Sequence, residues 1–310
     1  MAAEPKKLPI PDPDQQRSVH ADVRTLFRGE YAKKTAADLR AFAAKLLQLG
    51  AETKGDIASR FVLISEGRDL AAKAADPALV LKAISQLGSE YQIDEVAMKA
   101  DALDATGAAA AIPSSHRAVS VAATSATEEA IKQDRYAESV RLSGLASRCA
   151  AKSKDETLAK KATAREKDVR EVAVAFELNK TSSMRLKLDP TDAGAARSVG
   201  RFRCLLKGDW DAGLPLLAQG AEDRLKDLAK QDLGSPKSAE DRRSLADGYW
   251  QAAESEKGMA ATQLKRRACH YYRLGRRPSR CGSWRTWRVR TERRIGPISF
   301  SSSKGGGKRS

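Results

Sequence analysis

With 310 residues the chain is long enough for two ordinary domains or one elongated array of helix pairs. No apolar run approaches the roughly 18 residues needed to cross a bilayer, which predicts a soluble protein with no membrane span. Of the formal net charge of +16, +11 sits in residues 273–310, where twelve Lys and Arg face the single acid Glu292, so the rest of the chain gives nucleic-acid binding little support.

Aromatic residues are only 5% while alanine is abundant, which favours helices packed through small side chains over a compact aromatic core. Residues 1–14 read as a polar lead-in. Met1-Ala2-Ala3-Glu4-Pro5 has neither the basic nor the apolar region of a secretory leader, yet a small-residue pair before a Pro-rich stretch is also how many mature secreted chains begin. The compartment is therefore open, and an extracytoplasmic location fits if a leader was lost upstream. The cysteines Cys149, Cys204, Cys269 and Cys281 are too widely spaced to decide it.

The first helix shows Val19, Val23, Leu26 and Phe27 at one-faced amphipathic spacing. The second carries Leu39, Phe42, Ala43, Leu46 and Leu47, and Thr35 with Asp38 three residues on forms an acidic capping box at its start. Ile57, Phe61 and Ile64 lead to a turn at Asp76-Pro77, then Val80, Ile84 and Leu87, with Gly88 as the expected C-cap. A helix near 93–106 holds Val96, Ala100 and Leu103 and is expected to break across Gly107 to Pro113. Helices near 115–133 and 135–151 follow. Ser153 with Glu156 reads as a second capping box, opening a long charged helix through Leu158, Val169, Val172 and Phe176 that ends before Asp189-Pro190.

From Leu188 the pattern is Leu-Asp-Pro-Thr-Asp, a helix ending at Leu205-Leu206-Lys207, a turn at Gly208-Asp209-Trp210, and a second helix with Gly213, Leu217 and Gly220. This stretch resembles a tetratricopeptide repeat, a helix-turn-helix unit of about 34 residues. In that reading Pro190 ends the preceding unit, Gly208 permits the tight turn and Trp210 plugs the groove between the helices. Gly213 and Gly220 mark their closest approach, and Leu217 fills the gap. Arg197 and Arg201 depart from the family, which usually has a large apolar residue and a small one there. Weaker echoes fall at Asp76 to Leu87, at Asp134-Arg135-Tyr136 with Ser139 and Leu142, and at Ala268 with Tyr272. Lys207 to Leu217 is also similar to a segment of bacterial helical proteins, often secreted, that precedes a Trp/Tyr-rich final helix pair. For that group the resemblance implies a helical-repeat module without an established activity. Such motifs specify packing and say nothing of chemistry.

The expected fold is all-α: an α-solenoid of antiparallel, tetratricopeptide-like helix pairs, about a dozen helices and no sheet. Its expected parts are an N-terminal array over 15–187, repeats over 188–272 and a basic disordered tail over 273–310. The tail, with Trp284 and Trp287, has three readings: an arm for RNA or an acidic surface, a disordered extension, or a shifted reading frame suggested by the abrupt change of composition.

No enzyme signature emerges. His20, His116 and His270 lie far apart and read as surface histidines, and Cys269-His270 with Cys281 lacks the paired spacing of a zinc site, so no metal or cofactor is expected. Gly305-Gly306-Gly307-Lys308 is not a phosphate loop, because Arg309 stands at the Ser/Thr position and no helix follows. Tyr249, Trp250, Tyr271 and Tyr272 could line a groove or could fill the end of the array. The expected function is a non-enzymatic scaffold whose concave face receives a protein or peptide. Two alternatives stand beside it: binding of nucleic acid or an acidic surface through the tail, and an accessory region of a longer, truncated protein.

Overall fold

The computed structural model describes residues 7–275, and the basic segment beyond, with Cys281, Trp284 and Trp287, lies outside the described residues. The described residues form fourteen α-helices and one π-helical turn, with no strand among them. They are α1 (Pro13–Leu26), α2 (Arg28–Ala32), α3 (Ala36–Glu52), α4 (Ile57–Lys73), α5 (Pro77–Glu90), α6 (Glu95–Ala109) and α7 (Pro113–Lys132). After these come α8 (Tyr136–Lys152), α9 (Glu156–Leu188), α10 (Ala193–Arg201), the π-helical turn (Phe202–Lys207), α11 (Trp210–Gln219), α12 (Arg224–Leu233), α13 (Ala239–Glu254) and α14 (Gly258–Leu274).

Aspartate starts most of these helices. Asp12, Asp56, Asp76, Asp94, Asp192, Asp209 and Asp223 each accept a backbone N–H from the first turn that follows, and Thr35 and Ser238 do the same with hydroxyls. Each such cap satisfies a donor the helix cannot, and its loss costs about 1 kcal/mol. Three connections repeat one design: a C-cap residue, one left-handed residue, then the residue preceding the next helix. Ala75 (φ 53°), Asp134 (φ 57°) and Lys154 (φ 59°) take the left-handed position before α5, α8 and α9. The first two close with backbone bonds between residues five positions apart, Asp76 N to Ala71 O at 3.0 Å and Arg135 N to Ala130 O at 2.9 Å. A connection this short reverses the chain, so the flanking helices pack antiparallel.

The chain divides into two compact units, residues up to Val169 and residues from Arg170. The divide falls inside α9. Within each unit, helices adjacent in sequence pack side by side, and in the first α6 also meets α4 and α8, the stacking of a helical solenoid. Ala71, Ala83, Ala100, Ala123 and Ala130 are fully buried at these seams. Around them sit Leu46, Ile64, Ile84, Leu87, Leu103 and Leu142, each worth roughly 1.5–3 kcal/mol when fully buried. Arg165 of α9 holds α7 through a two-pronged bond to Glu128, at 2.7 and 2.8 Å.

Four local expectations are corrected. The lead-in is tied down: Leu8 N donates to Glu90 O at 2.7 Å, Gln92 N donates to Leu8 O at 2.8 Å, and α1 already begins at Pro13. Gly88 lies inside α5, whose C-cap is Tyr91, where its missing side chain leaves room for Glu95 of α6. Gly107 likewise continues α6, and the break comes at Ala110, because Gly107 sits against Leu145 where a Cβ would lie 2.7 Å from Cδ1. Asp155, not Ser153, receives the first-turn N–H of α9, at 2.9 Å from Leu158 N, while Ser153 turns back to bond Ala150 O.

Candidate functional site

In the second unit the repeat-like segment is assembled by close approach. Gly208 adopts φ 72°, the left-handed conformation that lets the π-helical turn stop and α11 begin two residues later. A Cβ at Gly213 would lie 2.4 Å from Cys204 Sγ and 3.0 Å from Cys204 N, and one at Gly220 would lie 2.9 Å from Arg197 Cα. Leu217, 2% exposed, fills the space beside Gly200. Pro190 sits in the exposed turn between α9 and α10, its carbonyl accepting from Gln219 Nε2. Arg197 and Arg201 bond to Asp223 at 2.6 Å and to Glu256 respectively.

Trp210 is buried in one core cluster with Cys204 and Leu205 of the π-helical turn. Its ring meets Tyr249 of α13 edge-on, with centroids 5.6 Å apart, and lies under the Arg267 guanidinium of α14 at 5.2 Å. Beside it is a feature that sequence reading missed. Asp232, 5% exposed, accepts from Tyr249 OH (2.8 Å) and Arg267 Nε (2.8 Å) on Oδ2, and from Tyr271 OH (2.5 Å) and an Arg267 terminal nitrogen (2.5 Å) on Oδ1. Both carboxylate oxygens are thus doubly satisfied, which is what allows a charge to be buried. One residue of α12 holds α13 and α14 together.

Burial, then the neighbouring Asp232 charge and hydrogen bond, hold the Tyr249 phenol far above its usual range, while for Tyr271 burial and the Asp232 bond push it up to about 12. Burial alone would lower the Arg267 value, but its bonds to Asp232 outweigh this and raise it. A phenol whose folded value is raised stabilises the fold fully below its unfolded value near 10 and loses that contribution as pH rises toward 12. Urea unfolding is therefore expected to show roughly 2 kcal/mol more stability lost between these limits in the native chain than in Tyr271→Phe. Equal losses would contradict the assignment.

The outer side of the same helices forms an open groove of about 1010 Å³. Arg224, Asp227 and Gln231 of α12 make one wall, and Glu240, Arg243, Ser244, Asp247 and Gln251 of α13 the other. Tyr271, Tyr272 and Gly275 close one end. Gly248 sets the spacing of the walls, since a Cβ there would lie 2.5 Å from Leu228 Cδ2. Tyr272 OH donates to Asp247, and Arg224 donates to Gln251 across the groove. Of the four aromatics that the sequence singled out, Tyr271 and Tyr272 reach the groove. Tyr249 is 1% exposed in the core, and Trp250 packs partly buried on that core beneath Lys265.

His20 bonds Glu66 in α4, and His270 is exposed, but His116 is buried, contrary to the surface position expected of it. Cys149, Cys204 and Cys269 are buried, and burial raises the thiol values of Cys149 and Cys204. Among the described residues no cluster of three His, Cys, Asp or Glu could hold a metal ion, and no helix is long and apolar enough to cross a membrane. No protein family, curated protein or solved structure matches this chain.

Proposed function

We propose that this chain is a non-enzymatic, tetratricopeptide-like scaffold that holds a peptide segment of a partner protein in the groove between α12 and α13. The observation that carries the reading is the pairing of a rigid back with a polar, open front. The Asp232 hub fixes the helices from behind, and the groove presents donors and acceptors of both signs, among them Gln231, Ser244, Arg243 and Glu240. Preorganised walls reduce the ordering cost of binding, and alternating charges suit an extended peptide bearing both signs.

Peptides selected from a displayed library against the full chain test the proposal. Ser244→Trp places a bulky side chain in the groove at an exposed position, so the fold is retained while selected peptides bind at least about tenfold more weakly. A chain ending at Gly275 is expected to bind as the full chain does. Loss of binding with residues 276–310 would favour the basic tail as the binding element. The cut belongs after Gly275, because α14 runs to Leu274, whose carbonyl accepts from Arg242 at 3.3 Å.

A further inference from the structure

The C-terminal half of α9 has two unlike faces. Val172, Phe176 and Asn179 face inward in the second unit, where Phe176 packs on Phe202 at 5.9 Å between centroids and Asn179 Nδ2 donates to Ser198 O at 3.2 Å. The opposite face exposes Val174 (61%), Leu178 (75%), Met184 (61%) and Leu188 (87%). These are four of the eleven large apolar residues exposed among the described residues, gathered within four helical turns. At 3.6 residues per turn they fall within an arc of about 120° centred on Thr181.

Their order is self-complementary. Reversing the helix about Thr181 lays Val174 against Leu188 and Leu178 against Met184, and it brings Glu177 opposite Arg185. Both charges are well exposed, with 62% and 61% of their side chains open to solvent, and their present partners are Lys180 at 2.7 Å and Asp192 at 2.6 Å. A parallel, in-register pair would instead set Glu177 against Glu177 and Arg185 against Arg185, and like charges across an interface are repelled. A twofold axis through the middle of the stripe satisfies the apolar and the charged positions together, as an isologous interface requires.

From this we infer that a second copy of the chain covers this face, forming an antiparallel homodimer with Thr181 on the twofold axis. Four apolar side chains per copy, with their charged flanks, stand near the lower bound of about 1,000 Å² buried for a specific interface, so dissociation in the micromolar range is expected.

Sedimentation equilibrium on the full chain tests this. The expected result is a dimer that dissociates on dilution, becomes monomeric in Leu178→Lys, weakens at least about tenfold in Glu177→Arg, and regains its strength in Glu177→Arg with Arg185→Glu. In a Cys281→Ser background, Thr181→Cys is expected to form an interchain disulfide, whereas Val174→Cys does so only when mixed with Leu188→Cys. Three results would each overturn the inference: a monomer at 100-fold above the micromolar range, a dimer indifferent to Leu178→Lys, or a double charge swap as weak as the single one. Coverage of the face by residues 276–310 of the same chain would appear as the first of these.

Discussion

Replacing Asp232 with alanine is expected to lower the unfolding free energy of the second unit by about 3–5 kcal/mol, the usual cost of removing one partner from a buried ion pair. The change strands the Arg267 guanidinium and leaves the Tyr249 and Tyr271 hydroxyls without their acceptor. It also cuts the link between α12 and the α13–α14 pair, so hydrogen exchange in α12 should accelerate more than in α10 or α11. Urea unfolding followed by fluorescence gives the free energy. A loss under 1 kcal/mol would mean that apolar packing around Leu228, Leu245 and Leu264 suffices without the carboxylate.

Gly213→Ala is expected to cost about 1–3 kcal/mol, the penalty of overpacking, although alanine is the better helix former. Its Cβ would stand 2.4 Å from Cys204 Sγ and 3.0 Å from Cys204 N, and because the second of these is backbone, the helices themselves would have to separate. Gly29→Ala in α2 is the control, since nothing lies within 4 Å of the added carbon and the substitution should be neutral or stabilising by about 0.5–1 kcal/mol. Thermal unfolding of both variants checks the pair of expectations. Equal behaviour would refute the close approach of α11 to the π-helical turn.

The helical architecture was legible because the apolar spacing is strong and the breaks carry Pro, Gly or Asp. The stripe Leu39, Phe42, Ala43, Leu46 and Leu47 gives α3, whose last four members are buried as expected. Caps are less legible: aspartate before a helix reads as a turn at Asp76 and Asp209, while the same device at Asp56, Asp94 and Asp223 carries no such turn signal. Gly88 and Gly107 misled because glycine signals both a helix end and a close approach, and periodicity cannot separate the two. The hub had a signal that went unused. Asp232 continues Leu225, Leu228 and Ala229 at i+7, and Arg267 lies between Leu264 and Tyr271 on the buried side of α14, so each is a charge on an apolar stripe. That α12, α13 and α14 bring the two together is tertiary information which neither stripe contains. The groove was half seen, through Tyr271 and Tyr272, because aromatic content does not reveal which rings point inward.

Hydrogen exchange of the full chain with and without a library-selected peptide is the most direct measurement of the central claim, that the outer faces of α12 and α13 form a binding surface on a fixed frame. The expected footprint is slowed exchange over residues 224–231, 239–251 and 271–275, with residues up to Val169 unchanged. Protection confined to residues 276–310 or to the first unit would contradict it.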